Sequence, residues 1–344
     1  MSIDPTSTRI LVTGANGFIG LHTVLHFLKL GYNLCATVRT QEQGEKVLKT
    51  LAKHTDTNKL EFIQADLTKD EGWDQAVTGC DVVLHVASPF PTEAPKDENE
   101  LIIPAREGTL RVLRAAEKGG VKRVVLVSSM AAVTGGHERE NRAFNESDWT
   151  DISKTDYAYA KSKTLAEQAA WGFIRSAQNK NGMELVCVNP SNVFGPVLDN
   201  RHHTSTEWFG TLLRREIPGL VRTQLNLVDV RDLVEMIEQT LITPEAAGKR
   251  FIANGASIPL QEFALILDRN FASRGYRVPT RILPNWLVRF FAIILPKTKP
   301  VVDTLGWNYS ISTEQARSIL GWQPRPYEGT IREMAQSMIE QGMV

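Results

Sequence analysis

The fold of this protein is decided by one stretch near its N-terminus, residues 9–20, which reads RILVTGANGFIG. It begins with an apolar strand pattern, and an amphipathic helix pattern follows its glycines. Gly14 permits a tight turn, Gly17 lets a diphosphate approach the backbone, and Gly20 lets the helix and strand pack closely. Free N–H groups at the start of such a helix bind anions. The stretch therefore predicts the first strand and phosphate-binding turn of a Rossmann domain.

This turn is the first part of a predicted dinucleotide site. A glycine triplet alone is a weak signal, but a preceding N-terminal strand and a following helix make it strong. The residues predicted to bind the cofactor here are Gly14, Asn16, Gly17, Phe18, Ile19 and Gly20.

The composition is that of an ordinary soluble enzyme. The chain has 344 residues and a formal net charge of zero, which provides no general attraction for nucleic acid or anionic lipid. The most lipid-like stretch, 283–295, is interrupted by Arg289 and is shorter than the ~20 residues that span a bilayer. We interpret it as a helix over a substrate pocket; the alternative is an interfacial helix assisted by Lys297 and Lys299. We therefore predict no nucleic-acid partner and no membrane partner.

The three cysteines, Cys35, Cys80 and Cys187, lie far apart and have no metal-ligand spacing. Such a set favours reduced, mostly buried thiols in a reducing compartment. The N-terminus also lacks the basic-then-apolar order of a secretory signal. We predict a cytoplasmic protein that binds no metal.

Short apolar strands alternate with amphipathic helical stretches in the first half of the chain. This alternation predicts right-handed crossovers and a parallel sheet covered by helices on both faces. The predicted strands are 9–13, 33–38, 60–65, 82–86, 124–127 and 184–188. The predicted helices include 18–30, 41–53, 100–118 and 157–176.

The pattern loosens after about residue 190, where proline and glycine become frequent. Ligands of open parallel sheets bind beyond the carboxyl ends of the strands. We therefore predict an α/β protein in which a doubly wound Rossmann domain, 1–190, is joined again by 225–255. A smaller, mostly C-terminal substrate-binding lobe would consist of 191–224 and 256–344.

The end of the second strand indicates which dinucleotide binds. NAD-binding domains usually carry an acidic residue there, on the ribose 2′-hydroxyl. Here the strand ends in Arg39, and the first carboxylate comes later, at Glu42. A guanidinium matches a 2′-phosphate as a fork of donors, and Lys46 follows one to two helical turns further on. The pattern favours NADP(H); the alternative is that Arg39 is a solvated strand-end residue.

The ends of the third and fourth strands are predicted to border the same cofactor. Asp66, followed by Leu67, either accepts a hydrogen bond from the adenine amino group or caps a helix that begins near Asp70. His85, at the end of the fourth strand, is interpreted as structural. The small residues suited to the diphosphate and the nicotinamide ribose are Val86, Ala87 and Ser88.

Hydride transfer to a carbonyl needs a proton donor and a group that holds the carbonyl oxygen. Ser128 and Ser129 end the fifth strand, and Tyr159 and Lys163 stand four apart at a helix start. Residues four apart share a helix face, and an ammonium lowers the pKa of a nearby tyrosine. The pattern predicts a catalytic serine, tyrosine and lysine.

A second Tyr-x-x-x-Lys pair, Tyr157 and Lys161, competes with the first. It is displaced by two residues, so it is predicted to face nearly the other way. Periodicity alone does not choose between the two pairs.

Taken together, these motifs resemble the extended short-chain dehydrogenase/reductase superfamily. The shared stretches are 13–20, 65–67, 128–129, 159–163, 189–190, 195–196 and 228–232. Within the superfamily the chain is similar to the dihydroflavonol reductase, cinnamoyl-CoA reductase and aldehyde reductase group, through 36–39, 85–89 and 162–167.

The resemblance implies roles for the catalytic residues. In that group the catalytic lysine directly precedes Thr-Leu-Ala-Glu, which selects Lys163 and hence Tyr159. The catalytic serine is the last of its run, which indicates Ser129, with Ser128 second. Tyr159 and Lys163 are also expected to contact the cofactor.

The resemblance implies further cofactor contacts and one partner. Arg39 and Lys46 would hold the 2′-phosphate, and residues from Pro190 to Val193 would border the nicotinamide. A homodimer through the helices 100–118 and 157–176 is an expectation of the same kind.

Departures from the group restrict the small-molecule carbonyl substrate. Thr134 stands where dihydroflavonol reductases carry an asparagine that holds the flavonoid, and 155–161 differ from the Asn-Trp-Tyr-Cys-Tyr-Gly-Lys of cinnamoyl-CoA reductases. The expected activity is NADPH-dependent reduction of an aldehyde or ketone. The alternatives are a nucleotide-sugar epimerase or dehydratase, or a hydroxysteroid dehydrogenase/isomerase, of which Arg39 disfavours the NAD-preferring epimerases. A non-catalytic NADP(H)-binding sensor is disfavoured by the Tyr/Lys pair.

Overall fold

The computed structural model of the chain describes residues 3–88, 97–138, 142–294, 302, 305–306 and 308–344. The first half of the chain alternates strands and helices, as the sequence pattern predicts. Its elements are β1 (Arg9–Thr13), α1 (Phe18–Lys29), β2 (Asn33–Val38), α2 (Gln41–Leu51), β3 (Leu60–Gln64), α3 (Trp73–Val77), β4 (Val82–His85), α4 (Asn99–Lys118), β5 (Arg123–Val127), β6 (Ala143–Phe144) and α5 (Ala158–Ile174).

The second half continues the mixture of strands and helices. Its described elements are β7 (Glu184–Pro190), β8 (Asn192–Phe194), α6 (Thr204–Leu213), β9 (Gln224–Asp229), α7 (Val230–Ile242), β10 (Arg250–Ala253), β11 (Ala256–Pro259), α8 (Leu260–Phe271), α9 (Asn285–Ile294), β12 (Ser310–Ile311), α10 (Glu314–Leu320) and α11 (Tyr327–Glu340).

Seven strands form one parallel sheet in the order β10-β7-β5-β4-β1-β2-β3. This doubly wound arrangement confirms the predicted Rossmann fold. The ends of the predicted strands lie within two residues of the observed ones. β7 runs two residues beyond its predicted end because its pairing with β10 continues to Pro190, opposite Ala253.

Both faces of the sheet are covered, and the side-chain alternation of β1 shows how. Ile10 and Val12 belong to a core cluster with apolar residues of α1 and α7. Leu11, which points to the opposite face, belongs to a second cluster with residues of α4 and α5. Burial on both faces explains the continuous apolar runs of the central strands, because neither face meets water.

The segment 225–255 is divided between two sheets. β10 joins the large sheet and α7 packs against it, whereas β9 pairs with β8 and β11 in a separate three-stranded sheet. The chain therefore has a second, mixed lobe beside the Rossmann sheet. The boundaries predicted for the two domains stay predictions.

The apolar stretch 283–295 contains α9, which leaves Trp286, Phe290 and Ile293 exposed. Residue 295 and the flanking Lys297 and Lys299 lie outside the described residues. No helix in the described part of the chain has both the length and the apolar character that crossing a bilayer requires.

Candidate active site

The predicted phosphate-binding turn is built so that only glycine fits at its two tightest positions. Gly14 has φ +72°, and a Cβ on it would lie 2.9 Å from the Cα of Ala87. A Cβ on Gly20 would lie 2.1 Å from the carbonyl oxygen of Gly14. α1 starts after Gly17 with no side-chain cap and no acidic residue in its first turn. Its first N–H groups, beginning at Phe18, are therefore available to an anion.

The turn is fixed to the strands on either side by polar contacts. The Gly14 N–H donates to Thr37 Oγ1 (3.3 Å) on β2, and the Ala87 N–H donates to Thr13 Oγ1 (3.0 Å). Thr13 Oγ1 also lies 2.8 Å from Nδ1 of His85, which is buried. Burial lowers the pKa of His85 to about 3, so the ring is neutral. These are the contacts of a side chain that supports the turn.

Arg39 and Asp66 lie near each other at the ends of β2 and β3. Arg39 is exposed. Hydrogen bonds from Thr68 to Asp66, helped by the charge of Arg39, hold the pKa of the Asp66 carboxyl below its usual value. Asp66 Oδ1 accepts from the backbone N–H (2.8 Å) and the hydroxyl (2.7 Å) of Thr68. The alternative that Asp66 caps a helix is wrong, because α3 begins only at Trp73, after Gly72.

The remaining predicted cofactor residues lie on α2, in β8 and at or just beyond the ends of β3, β4 and β7. Lys46, on α2, is exposed and places Nζ 2.6 Å from Oε1 of Glu42. Pro190 ends β7, and Val193 lies buried in β8. Leu67 follows β3, and three residues that follow β4 lie partly buried or exposed: Val86, Ala87 and Ser88.

Ser129 and Tyr159 meet just beyond β5. Ser129 begins a short 3₁₀ turn, and its Oγ accepts from the Ala131 N–H at 3.1 Å. The half-buried Tyr159 hydroxyl is hydrogen-bonded to the same serine side chain. Burial raises the pKa of Tyr159 to about 12, while the bond from Ser129 opposes the rise. The structure therefore joins a protonated tyrosine to a serine, and both hydroxyls can hydrogen-bond to one oxygen atom of a bound molecule.

Lys163 lies one helical turn beyond Tyr159 and is almost fully buried. Its Nζ lies 3.4 Å from the carbonyl oxygen of Val127, at the end of β5. Burial lowers the pKa of Lys163 to about 8, and the nearby charge of Glu167 opposes the fall. The side chain is thus mostly an ammonium at neutral pH.

The competing pair is placed differently from its prediction. Tyr157 lies just before α5 in extended conformation, so its ring does not face away: its centroid is 5.8 Å from that of Tyr159. The side chain of Tyr157 is 57% exposed. Lys161 turns outward and contacts Glu98 at 2.6 Å. The pair that reaches the end of β5 is Tyr159 and Lys163.

A buried polar cluster that the sequence motifs do not predict lies beneath these residues. Glu167, which is fully buried, accepts from Ser128 Oγ (2.5 Å), from Asn189 Nδ2 (2.7 Å) and from Arg250 Nε (2.6 Å). The Asn189 amide also donates to the carbonyl oxygen of Ser129 at 3.1 Å. One feature of the sequence could have indicated the cluster: Glu167 stands four residues after Lys163, so both lie on the helix face that is turned toward the sheet.

The three cysteines are buried, and none of them forms a disulfide. In the described part of the chain, no group of three or more His, Cys, Asp or Glu side chains is arranged to hold a metal ion.

Comparisons with known proteins agree with this architecture. A model of the NAD dependent epimerase/dehydratase family matches residues 10–254, and the chain belongs to this family. Barley dihydroflavonol 4-reductase is 32% identical over 81% of this chain and 79% of its own length. Tetraketide alpha-pyrone reductase 1 of Arabidopsis thaliana is 31% identical over 99% of this chain and 98% of its own.

A solved structure covers nearly the same span. Yeast methylglyoxal/isovaleraldehyde reductase Gre2, complexed with NADPH, superposes with a TM-score of 0.82 at 26% identity. The match covers 98% of this chain and 100% of the yeast chain. The predicted membership of the extended short-chain dehydrogenase/reductases, in the group of dihydroflavonol and aldehyde reductases, is confirmed.

Proposed function

We propose that this protein is an NADPH-dependent carbonyl reductase that transfers hydride to an aldehyde or ketone and releases an alcohol. The observation that carries the proposal is the hydrogen bond between Tyr159 and Ser129, beside the buried Lys163. Named relatives along the whole chain are reductases, and the yeast relative was solved with NADPH. They support an NADP-dependent oxidoreductase, and the geometry supports the carbonyl as its substrate.

The proposed mechanism assigns each side chain one task. Bound NADPH would supply the hydride. Ser129 Oγ would hold the carbonyl oxygen, and the Tyr159 hydroxyl, protonated at neutral pH, would give its proton to that oxygen as negative charge develops. The Lys163 ammonium would stabilise the phenolate left behind, which makes the proton transfer easier.

Three sets of residues are proposed to hold NADP(H). The turn from Gly14 to Gly20 would bind the diphosphate through backbone N–H groups, and Arg39 would bind the 2′-phosphate. Lys46 would leave its ion pair with Glu42 and bind the same 2′-phosphate as Arg39. The adenine and the nicotinamide riboside would be bordered by Asp66, Leu67, Val86, Ala87, Ser88, Tyr159, Lys163, Pro190 and Val193.

The surroundings of Thr134 support a substrate other than a dihydroflavonol. Its Oγ1 donates to the carbonyl oxygen of Met130 at 3.3 Å, and it is hydrogen-bonded to the hydroxyl of Tyr309. Tyr309 also packs edge-on against Phe144, with ring centroids 5.5 Å apart. Thr134 is thus occupied by protein partners and is shorter than the asparagine of the flavonoid reductases.

The test is NADPH oxidation by the purified protein with isovaleraldehyde, methylglyoxal, a dihydroflavonol and a UDP-sugar, repeated with NADH. We expect turnover of an aldehyde or ketone with NADPH. Turnover of the UDP-sugar with retained NAD would replace the proposal by an epimerase. Tight NADPH binding without oxidation across the carbonyls would replace it by a cofactor sensor.

We also propose that the protein is cytoplasmic and forms a homodimer through α4 and α5. The three unpaired thiols fit a reducing compartment. α4 leaves Ile103 48% exposed on its outer side. Light scattering of the purified protein should give twice the chain mass; the mass of a single chain would contradict the dimer.

A further inference from the structure

Glu167 is a buried carboxylate that the proposed mechanism does not use. It lies on α5 one turn beyond Lys163, and its relative exposure is 0%. A buried carboxylate is costly unless it is paired and hydrogen-bonded. Its position beside the proposed catalytic residues therefore calls for a role.

The pairing is supplied by Arg250, which the fold holds rigidly. Besides the bond to Glu167, its Nη1 donates to the carbonyl oxygens of Glu146 (2.9 Å) and Asp148 (2.6 Å). Its guanidinium carbon lies 3.8 Å above the ring of Trp149. The carboxylate is therefore anchored to β10 and cannot turn away from its other partners.

The other partners of Glu167, Ser128 and Asn189, connect it to Ser129. The Ser128 hydroxyl and the Asn189 amide both donate to Oε2 of Glu167, and the same amide donates to the Ser129 carbonyl oxygen. The carboxylate thus bridges the ends of β5 and β7 at the point where the backbone presents Ser129. A displacement of this bridge would move the hydroxyl that holds the substrate oxygen.

We propose that Glu167 is a positioning residue of the reductase: it fixes Ser129 through Ser128 and Asn189, and it places a buried carboxylate one helical turn from Lys163. The inference rests on the proposed function, because it gives Ser129 and Lys163 the roles assigned above. Glu167 is proposed to act through these residues and to touch neither substrate nor cofactor.

The charged and titratable groups around Lys163 come from several elements. Glu167, on α5, favours its charged form. His85, on β4, is neutral because burial holds its pKa near 3. The Cys187 thiol is neutral too, since burial raises its pKa well above the usual value. Arg250, on β10, is the ion-pair partner of Glu167.

The first variant is Glu167→Gln, which keeps the shape and removes the charge. With isovaleraldehyde and NADPH we expect kcat at neutral pH to fall about tenfold and KM to change little. The pH above which kcat declines should move down by about one pH unit, because Lys163 loses its charge more readily. A merely structural role would lower kcat without moving that pH.

The matched control is Glu184→Gln. Glu184 pairs with the buried Arg123 at the opposite end of β5 and β7, with Oε2 2.8 Å from Nε. The substitution is the same, and the partner is again an arginine held by backbone carbonyls. We expect no movement of the pH profile.

A second variant separates charge from stability. Glu167→Gln combined with Arg250→Gln removes both charges, so no uncompensated guanidinium is left in the interior. We expect a higher melting temperature than in Glu167→Gln alone and a pH profile that is still displaced from the wild-type position, but by less, because the positive charge of Arg250 is removed too. A profile that returns to the wild-type position would overturn the role assigned to the Glu167 charge.

A readout without turnover keeps the two proposals distinguishable. In protein with isotope-labelled lysine Cε, an NMR titration should give a Lys163 midpoint near pH 8, identified by its loss in Lys163→Met. The midpoint should fall in Glu167→Gln and stay in Glu184→Gln. If the Lys163 midpoint does not move in Glu167→Gln, the inference on Glu167 is overturned. If none of the tested aldehydes and ketones makes the wild-type protein oxidise NADPH, the proposed function is overturned instead.

Discussion

Helix α5 presents two regions made of similar residues that differ in their surroundings. On its inner side Tyr159, Lys163 and Glu167 lie against the end of the sheet, and Lys163 has a carbonyl oxygen at 3.4 Å. On its outer side Lys161 meets the Glu98 carboxylate at 2.6 Å, close to solvent. The start of the helix leaves Tyr157 57% exposed. The same amino acids therefore meet two different dielectric environments.

The difference shows that the environment selects the chemistry. Burial lowers the pKa of Lys163 to about 8 and raises that of Tyr159 to about 12. Groups with shifted pKa values cluster at active sites, where burial and neighbouring charges tune them for proton transfer. The outer lysine instead forms a surface ion pair, which contributes little to stability.

The largest effect is expected when the hydroxyl of each tyrosine is removed in turn. Tyr159→Phe should lower kcat about 100- to 10,000-fold, because the proton donor is lost, and leave NADPH binding nearly intact. Tyr157→Phe should change kcat less than about threefold. Steady-state kinetics and NADPH fluorescence titration check both. If Tyr157→Phe abolishes turnover and Tyr159→Phe does not, the two tyrosines must exchange roles.

Substitution of Lys163 should change activity and stability in opposite directions, whereas substitution of Lys161 should change stability little. Lys163→Met removes a buried ammonium, so it should lower kcat by about 100-fold and raise the free energy of unfolding at pH 7 by up to about 3 kcal/mol. Lys161→Met loses an ion pair near the surface and should change stability by less than about 1 kcal/mol. Urea unfolding followed by circular dichroism measures the difference. A destabilised Lys163→Met would show that the burial of the ammonium carries no cost.

The comparison also predicts a pH dependence. Below pH 8 Lys163 is an ammonium, so kcat for reduction should be constant; as the pH rises through about 8 the ammonium is lost and kcat should fall. Lys161→Met should leave this profile unchanged. A profile that stays flat to pH 10 would remove Lys163 from the proton-transfer step.

The smallest effect is expected from two glycines, one within α5 and one that packs against it. Gly172 is exposed, and a Cβ there meets nothing within 4 Å, so Gly172→Ala should stabilise the protein by about 0.5–1 kcal/mol. A Cβ on Gly135 would lie 2.9 Å from Thr150 Cγ2 and 3.6 Å from the Cβ of Ala160, on α5. Gly135→Ala should therefore cost about 1–3 kcal/mol. Equal melting temperatures in the two variants would contradict this contrast in packing.

Sequence reasoning placed the elements well because their signals are local. The period-two and period-3.6 patterns reproduce the six predicted strands to within two residues, and the glycine positions specify the turn that the structure shows. The resemblance to known reductases selected Lys163 and Ser129, where the periodicity had left two pairs open. The structure joins Tyr159 and Ser129 by a hydrogen bond, and the catalytic roles of these residues stay predictions.

The errors arose at the starts of helices, and the omission arose where distant segments meet. The direction of Tyr157 depends on whether the helix has begun, and α5 begins one residue after it. The capping role allowed for Asp66 was wrong because the next helix starts further along the chain. The Glu167 cluster joins residues 83 positions apart at its bond to Arg250, a separation that no local pattern encodes.

By itself the sequence determined the Rossmann sheet, the glycine turn and the residue types that reduction requires, because these depend on backbone geometry and on neighbours a few residues away. Only the tertiary structure decided which tyrosine and lysine are buried and what they contact. It also decided that a carboxylate and an arginine from distant strands lie beneath them. The physical reason is that burial and charge, which shift pKa values, belong to the packed interior and not to any single segment.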